Sequence, residues 1–158
     1  MLRIGFGFDT HRLRDGSAFH IGGIPVPHSK GAIGHSDADV LIHAICDALL
    51  GAAGLRDIGF QFPDSSPDFK GIDSKILLAR VCDLLQEKNL SIVNIDSTLV
   101  LETPRISSLV PLMIAKLSEV MKIGIEQISI KAKTSEKLGF IGREEGISAY
   151  AVCLIEKM

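Results

Sequence analysis

Apolar positions along the chain repeat with two different periods, which predict an alternation of strands and helices. Strands are predicted over residues 2–9, 91–101, 127–133 and 146–155. In the first of these, bulky apolar residues alternate with Gly5 and Gly7, which is the two-residue period of a strand. Two glycines on one face either let another element approach the backbone closely or mark a bend in the strand.

Apolar residues spaced three and four positions apart predict three helices. These helices begin near Ser36, Ser74 and Leu109, and they end near Gly51 or Gly54, near Asn89 and near Met121. The first start is capping-box-like because Asp39 follows Ser36 by three residues, and Asn89 is the expected C-cap of the second helix.

The remaining segments are predicted to be turns and loops. Residues 19–26 have the pattern of a hairpin that turns at Gly22-Gly23, and a loop is expected through Lys30-Gly31. Residues 56–73 form a long loop, which in a compact domain is usually functional or mobile. Residues 134–145 form a second loop, rich in glycine and charge.

Because strands and helices interleave, we expect an α+β fold with a single mixed β-sheet covered by helices on one face. A chain of 158 residues is expected to form one domain, covering residues 1–158. The chain is 46% hydrophobic without a tryptophan, and this aliphatic excess suggests that part of it faces a partner subunit.

The composition argues against several classes of function. Charges of both signs are mixed throughout and the net charge is −2, so neither a nucleic-acid surface nor a polybasic membrane patch is expected. The most apolar stretch, residues 44–55, contains Asp47 and is too short to span a bilayer, and no targeting segment is evident. Cys46, Cys82 and Cys153 are far apart, and we expect them to be buried thiols of a cytoplasmic protein.

Asp9, His11 and His43 are candidate metal ligands. A carboxylate and two imidazoles suit a zinc-like dication with one coordination position left open, as catalytic sites have. The set requires the first strand to end near Asp9 so that the chain turns, with His43 joining from a polar edge of the first helix. The alternative is a surface aspartate, a loop histidine and a half-buried helix histidine with local hydrogen bonds.

Polar residues before and after the first helix have both functional and plain structural explanations. His35 either donates a hydrogen bond to a bound anion or is simply a loop histidine. Asp37 and Asp39 are most simply acids that favour the N-terminal end of the helix dipole. The carboxylates of Asp57 and Asp64 either bind a polyol or orient a ligand imidazole, or they serve as turn residues.

The segment after the third strand suits phosphate and a hard dication. Thr134, Ser135 and Glu136 supply two hydroxyls and a carboxylate, and Mg²⁺ takes few protein ligands when substrate phosphates are available. The alternative is a capped turn. Arg143 adds a guanidinium able to bind phosphate through two hydrogen bonds.

Ordered motifs run nearly from end to end of the chain. They are Gly7-Phe-Asp9-x-His11, Ile21-Gly-Gly23, His35-Ser-Asp37-x-Asp39-Val, His43-Ala, Asp47-Ala-Leu-Leu-Gly51-Ala-Ala, Asp57-Ile-Gly59, Phe62-Pro-Asp64, Phe69-Lys-Gly71-x-Asp73-Ser74 and Glu136-Lys-Leu-Gly-Phe140-x-Gly-Arg143-x-Glu145-Gly146. In this order they resemble one family, the 2-C-methyl-D-erythritol 2,4-cyclodiphosphate synthases of the non-mevalonate isoprenoid pathway.

The resemblance implies an activity and a set of site residues. Such enzymes convert 4-diphosphocytidyl-2-C-methyl-D-erythritol 2-phosphate to the 2,4-cyclodiphosphate with release of CMP. Asp9, His11 and His43 match ligands of Zn²⁺ or a similar divalent cation, and Glu136 matches a contact to Mg²⁺ or Mn²⁺. His35 and Thr134 match groups that position the reacting phosphates and stabilise charge. The implied substrate-binding residues are Ser36, Asp57, Ile58, Gly59, Phe62, Pro63, Asp64, Thr103, Pro104, Arg105, Ile106, Lys133, Ser135, Phe140 and Arg143.

The resemblance also implies partners. The family forms homotrimers that pack their sheets around a central axis, with active sites between neighbouring subunits. It also implies an isoprenoid diphosphate effector in the central cavity; Phe8 and Arg143 match that site, whereas Tyr150 stands where some relatives have a glutamate.

The chain departs from the family's pattern at a few further positions. Phe6 replaces a histidine found in many relatives, and Lys133 and Ser135 replace threonines. Two other hypotheses are a metal-dependent phosphodiesterase that uses water as its nucleophile and a non-catalytic module that binds metal or isoprenoid diphosphates.

Overall fold

The computed structural model describes residues 1–158, which form seven strands and five α-helices. The strands are β1 (Leu2–Asp15), β2 (His20–Ile21), β3 (Ile24–Pro25), β4 (Lys30–Ile33), β5 (Leu90–Val100), β6 (Ile128–Lys133) and β7 (Gly146–Lys157). The α-helices are α1 (Val40–Ala53), α2 (Ile58–Gln61), α3 (Ser74–Glu87), α4 (Val110–Met121) and α5 (Gly139–Gly142). Short 3-10 helices lie at Pro67–Phe69, Ser107–Leu109 and Ile125–Gln127.

Five of the strands form one mixed sheet in the order β4-β1-β7-β5-β6. Neighbouring strands are antiparallel except β5 and β6, which are parallel and are joined by a crossover through α4. Strands β2 and β3 form a separate hairpin, and its turn glycines Gly22 and Gly23 have φ angles of +61° and +79°. The predictions of a mixed sheet and of this turn are confirmed.

The long helices cover one face of the sheet, as the sequence predicted. Helix α1 lies against β1 and β7, and its apolar side chains are at the centre of the core, with Leu41, Ile45 and Leu49 fully buried. No helix of the fold has the length and apolar character needed to cross a bilayer.

The two glycines of β1 determine how close α1 lies to the sheet. A Cβ atom on Gly5 would lie 1.9 Å from the carbonyl oxygen of Ala48, and one on Gly7 would lie 1.9 Å from that of Ala44. Of the two explanations for these glycines, the close approach of another element is therefore the correct one. Helix α1 can rest directly on the strand backbone only because the strand has no side chains at these positions.

The opposite face of the sheet carries large apolar side chains that no other element of the chain covers. Phe6 is 63% exposed, and Ile4, Phe8, Tyr150 and Val152 on the same face are also exposed. The Phe8 and Tyr150 rings lie 5.1 Å apart between centroids. An apolar sheet face of this kind is usually buried against a partner.

Two predictions about the N-terminal strands are wrong. Strand β1 continues to Asp15 instead of ending at Asp9, because β4 pairs antiparallel with its second half. The segment through Lys30 and Gly31, expected to be a loop, is the start of β4. The pairing partners are not adjacent in the sequence, so neither local pattern revealed them.

The helix boundaries differ from prediction in a similar way. Helix α1 is capped by Asp39, whose side chain accepts from the Ile42 N–H, and Ala38 at φ +57° prevents a helix from starting at Ser36. It ends at Gly54, the later of the two predicted ends. Helix α3 has Lys88 as its C-cap. The two long loops are partly helical, since they contain α2, α5 and the 3-10 helix Pro67–Phe69.

Candidate metal centre and adjoining clefts

Asp9, His11 and His43 meet on the helix-covered side of the sheet. Residues two apart in a strand point to the same face, so Asp9 and His11 lie side by side without any turn of the chain. The predicted turn is therefore wrong, although the three residues do come together. The contact of Gly7 with Ala44 seats the first turns of α1 against β1, and this brings His43 onto the same spot.

Three potential ligand atoms of this centre converge. Asp9 Oδ2 lies 2.8 Å from His11 Nε2 and 3.0 Å from His43 Nδ1, and the two nitrogens are 3.1 Å apart. Two ligands of a tetrahedral zinc ion, each about 2.0–2.1 Å from it, are separated by roughly 3.3 Å. The triangle is therefore close to the size that one such cation requires, and it is a possible divalent-metal site.

The other nitrogen of each imidazole is engaged elsewhere. His11 Nδ1 lies 3.2 Å from the carbonyl oxygen of Ile33, to which it can only donate. His43 Nε2 lies 3.0 Å from Ser36 Oγ and 2.9 Å from Ser74 Oγ. Metal-binding histidines usually donate their second N–H in this way, which directs the remaining lone pair to the metal. The donor set therefore fits a divalent cation.

Burial and charge determine the protonation of the metal-free centre. Burial acts to raise the pKa of Asp9, but hydrogen bonds and charge from His11 and His43 outweigh it and lower the pKa to about 2. Burial acts to lower the pKa of His43, but the hydrogen bond to Asp9 and the charges of Asp9, Asp39 and Asp37 raise it. His43 is only 6% exposed, but the side chains that its ring nitrogens contact are all polar, as expected for the polar edge of the helix.

The two aspartates before α1 have different roles. The Asp39 carboxylate is buried and accepts from the backbone N–H groups of Gly22, Gly23 and Ile42, so it joins the β2–β3 hairpin to the start of α1. Asp37 instead accepts from the backbone N–H and the hydroxyl of Ser74, at the start of α3. Asp37 also accepts from the Asp39 N–H at 3.1 Å, so its carboxylate lies at the N-terminal end of α1 as well as at that of α3.

A cleft of about 190 Å³ opens beside the three candidate ligands. Its walls are His35 and Ser36 on one side and the segment of α2 on the other, including Ile58, Gly59, Phe62 and Asp64. The Asp57 carboxylate is not in the wall, because it caps α2 by accepting from the Phe60 N–H at 2.8 Å. Pro63 also lies outside the lining.

A second, separate cleft of about 160 Å³ lies at the ends of β5 and β6. It is lined by Pro104, Arg105, Ile106, Lys133 and Thr134, all of which the sequence had assigned to a site. Its other lining residues are Leu101, Glu102, Ser107 and Ala132.

The remaining candidate residues lie near this second cleft or further along the chain. Thr134 Oγ1 lies 3.4 Å from a carboxylate oxygen of Glu136, and Ser135 lies against Glu102 through its N–H, at 3.3 Å. Thr103 approaches His28, with its hydroxyl 3.5 Å from the ring.

Phe140 and Arg143 do not line either of these clefts. The Phe140 ring lines a surface depression with Thr10 and Glu145. The exposed Arg143 guanidinium is held by both carboxylate oxygens of Glu145, at 3.0 and 3.2 Å.

Sequence reasoning assigned no role in the site to Ser74 or to Asp47. Ser74 contacts His43 from 31 positions away, and it was recognised only as a helix start. Asp47 lies one helical turn beyond His43 and accepts from the Ile58 N–H at 2.8 Å, which ties α2 to α1. The only sequence signal for either is its place in the ordered motifs.

The comparisons with known proteins agree with one another. The YgbB family profile matches residues 2–156. The 2-C-methyl-D-erythritol 2,4-cyclodiphosphate synthase of Porphyromonas gingivalis is 60% identical over 153 residues, which cover 97% of this chain and 94% of that one. A solved 2C-methyl-D-erythritol-2,4-cyclodiphosphate synthase in a CDP-bound form has a TM-score of 0.90 and 34% identity, covering 98% of this chain and all of that one.

A bifunctional IspDF from Campylobacter jejuni has a similar structure, with a TM-score of 0.96 and 34% identity. The match covers all of this chain but 43% of that protein. Because the family profile and the relatives of high identity both span nearly the whole chain, it belongs to the YgbB family.

Proposed function

We propose that the chain is a 2-C-methyl-D-erythritol 2,4-cyclodiphosphate synthase, acting in non-mevalonate isoprenoid precursor biosynthesis. The observation that carries this proposal is the centre of Asp9, His11 and His43 in a chain of this family. This centre opens into a cleft that is lined by hydrogen-bond donors and a carboxylate. The substrate is 4-diphosphocytidyl-2-C-methyl-D-erythritol 2-phosphate.

The reaction is an intramolecular phosphoryl transfer. An oxygen of the 2-phosphate forms a bond to the β-phosphorus while the bond from that phosphorus to the bridging oxygen breaks. CMP leaves with the bridging oxygen, and no water is consumed. The nucleophile is already anionic, so the chain needs no nucleophilic side chain and little general-base catalysis. Its task is to hold two mutually repelling phosphates in line and to neutralise their charge.

Asp9, His11 and His43 would hold Zn²⁺ or a similar divalent cation, because their three ligand atoms converge. The second nitrogen of each imidazole also has a hydrogen-bond partner that orients the ring. Glu136 is an exposed carboxylate beside Thr134, which suits Mg²⁺ or Mn²⁺ shared with substrate phosphates. When bound, such cations supply Lewis acidity and a template for the diphosphate.

Residues around each cleft would position the phosphates. His35 and Ser36 lie beside the candidate ligands, and they donate hydrogen bonds to a phosphate oxygen in this proposal. Lys133 and Thr134 do the same in the second cleft, where Lys133 adds a positive charge, and Ser135 does so beside its lining residue Glu102. His35 and Thr134 therefore act by positioning and charge stabilisation.

The two ends of the substrate differ in chemistry, as the two clefts do. The methylerythritol hydroxyls fit the wall built on α2, where Ile58, Gly59, Phe62 and Asp64 line the cleft. Asp57 and Pro63 flank this wall outside the lining, and they are proposed contacts from the resemblance. The cytidine fits the turn that Thr103, Pro104, Arg105 and Ile106 form beside β6. Phe140 and Arg143 complete the proposed set, and Arg143 would exchange its pairing with Glu145 for a phosphate.

We propose that the site is completed between subunits of a homotrimer. Two observations support this: the metal centre and the proposed cytidine residues line separate clefts of one chain, and the sheet has a bare apolar face. Packing three such faces around an axis would bury Phe6 and Phe8 and set a cleft of one subunit against that of its neighbour. The isoprenoid diphosphate effector is a prediction of the resemblance: Phe8 matches that site, and the ring of Tyr150, which stands where some relatives have a glutamate, lies 5.1 Å from the Phe8 ring on this face.

The cysteines support a cytoplasmic location, which is also part of the proposal. Cys46, Cys82 and Cys153 are all free and buried, as expected in a reducing compartment.

Phosphorus NMR of the reaction tests the proposal. The chain, loaded with zinc and supplied with Mg²⁺ and the cytidylyl substrate, should produce CMP and a cyclic diphosphate in equal amounts. His11→Ala is the control, and it should produce neither. Release of CMP with a linear bisphosphate would support a phosphodiesterase, and binding without turnover in zinc-loaded protein would support a non-catalytic module.

A further inference from the structure

The buried end of the His43 ring contacts two hydroxyls that differ in their surroundings. Ser74 Oγ lies 2.9 Å from Nε2 and has no exposed surface, whereas Ser36 Oγ lies 3.0 Å from the same nitrogen and lines the cleft. One Nε2–H can be directed fully at only one of them.

Asp37 determines which hydroxyl receives this proton. A carboxylate can only accept hydrogen bonds. The Ser74 hydroxyl, which contacts Asp37 Oδ1, must therefore donate to it. The lone pairs of Ser74 Oγ are then left for His43 Nε2–H. The backbone N–H of Ser74 donates to the other oxygen of Asp37 at 3.0 Å, and the Asp37 N–H donates to Ile72 O at 3.1 Å, so the carboxylate is held in place.

We infer that Ser74 and Asp37 form a positioning pair, which fixes the His43 ring with Nδ1 free for a metal ion and leaves the Ser36 hydroxyl free for a substrate oxygen. The inference rests on the proposed function of the Asp9–His11–His43 centre. The direction of donation runs from His43 to Ser74 to Asp37. Ser36 Oγ accepts only a 3.3 Å contact from the Ala38 N–H, so its own proton is free to turn into the cleft.

The pair and Ser36 therefore have separable effects. Ser74→Ala should lower the affinity for Zn²⁺ by about 10–100-fold, the usual cost of removing a group that orients a ligand. At saturating zinc its KM should stay close to that of the wild type. Ser36→Ala should leave zinc affinity within about twofold and raise KM, since it removes only the substrate-facing hydroxyl.

Asp37→Asn tests the direction of the hydrogen bonds with almost no change of shape. When its amide nitrogen takes the Oδ1 position, it gives up the 3.1 Å bond from the Asp39 N–H and donates to Ser74 Oγ. The Ser74 hydroxyl is then released to donate to His43 Nε2. That contact favours the tautomer with the proton on Nδ1, which opposes metal binding. Asp37→Asn should therefore weaken zinc binding at least as much as Ser74→Ala does.

The experiment measures zinc affinity by competition with a chromogenic chelator in the wild type, Ser74→Ala, Asp37→Asn and the double variant. Ser97→Ala is the matched control, because Ser97 is another buried serine whose hydroxyl donates to a backbone carbonyl, that of Ser129. If Asp37 acts through Ser74, the double variant should bind zinc about as weakly as the weaker single variant. Cobalt-substituted Ser74→Ala should also show altered d–d absorption, a change that a loss of stability alone would not produce.

The inference would be overturned if Ser74→Ala and Asp37→Asn bound zinc as tightly as the wild type and Ser97→Ala do. That result would leave the proposed metal centre itself intact. Strictly additive losses in the double variant would also overturn the inference, because they would show that Asp37 acts independently of Ser74. Failure of the wild type itself to bind zinc would instead contradict the proposed metal centre. Thermal unfolding of every variant shows whether the fold is retained.

Discussion

The candidate metal centre depends on three side chains, and each supplies one atom. His11→Ala removes one of these atoms from a partly exposed position on β1. We expect it to lose stoichiometric zinc while keeping its secondary structure, because the core of α1 and the sheet is not touched. Zinc analysis after dialysis and circular dichroism measure the two outcomes. One zinc per chain in His11→Ala would contradict the assignment.

The protonation of the metal-free centre predicts how zinc binding depends on pH. The pKa of His43 is raised above its ordinary value by Asp9, so below that pKa zinc must displace a proton from the ring. The pKa of Asp9 is about 2, so Asp9 is ionised throughout the neutral range and adds no pH dependence there. Zinc affinity should fall as pH is lowered through the pKa of His43, by up to about tenfold per unit for this proton.

Chelator competition between pH 6 and pH 8 measures this dependence. Zinc addition to metal-free protein in weak buffer should also release the His43 proton at the lower pH. An affinity that does not change over this range would contradict the assigned protonation.

At the residue scale, the sequence predicted the ligands but not the reason they meet. One aspartate and two histidines indicated a divalent cation. The turn expected after Asp9 does not exist, however, because pairing with β4 continues β1 beyond that residue. Ser74 could not be predicted from local pattern. Its contact with His43 exists only once α3 has packed beside α1.

At the scale of elements, the contact between β1 and α1 sets the geometry of the centre. Gly7→Ala would place a Cβ 1.9 Å from the Ala44 carbonyl, so α1 must move away from the strand. We expect a loss of about 1–3 kcal/mol in the free energy of unfolding. Zinc affinity should fall as well, since His43 moves with the helix. Denaturant unfolding and chelator competition measure the two effects.

Gly51→Ala is the control within the same helix. Nothing lies within 4 Å of a Cβ at Gly51, which is exposed near the end of α1. Alanine should stabilise the helix by about 0.5–1 kcal/mol and leave zinc affinity unchanged. Equal effects of the two substitutions would show that the close approach at Gly7 does not position His43.

A second connection between elements ties α2 to α1 through Asp47. Asp47→Ala leaves the Ile58 N–H without its hydrogen-bond acceptor. The attachment of α2 to α1 should then loosen, and with it the cleft wall that carries the proposed methylerythritol contacts. KM should rise by about five- to tenfold, the equivalent of roughly 1 kcal/mol. Zinc affinity should not change. Steady-state kinetics measure KM, and an unchanged KM would contradict the role of Asp47.

At this scale the sequence predicted the long elements and missed the short ones. The three long helices, the mixed sheet and the hairpin at Gly22 follow from periodicity and turn chemistry. Strand β4 and helices α2 and α5 have at most four residues each, which is too short for a period to emerge. Their existence depends on tertiary partners such as β1 for β4 and Asp47 for α2.

At the scale of the whole molecule, the bare sheet face is the basis of the proposed trimer. Phe6→Glu places a charge on this face, where Phe6 is 63% exposed in the single chain. We expect the variant to sediment as a monomer and to lose turnover, since the site then lacks its second cleft, while zinc binding persists. Leu112→Glu is the control, because Leu112 is 58% exposed on α4. A fully active Phe6→Glu monomer would contradict a site completed between subunits.

The sequence predicted the existence of this apolar surplus but not its location. A hydrophobic content of 46% indicated a covered surface. Only the register of β1 against β7 shows that Phe6, Phe8 and Tyr150 share one face. The resemblance implies separate pockets for methylerythritol and cytidine, and the residues implied for them line two separate clefts of the fold in most cases.

The most direct test of the central claim is to run the reaction in ¹⁸O-labelled water and analyse the phosphorus-containing products. Attack by the substrate's own 2-phosphate predicts a cyclic diphosphate and an equal amount of CMP, neither of which carries the label. A linear methylerythritol bisphosphate with one ¹⁸O on its new phosphate would contradict the account, because water would then be the nucleophile.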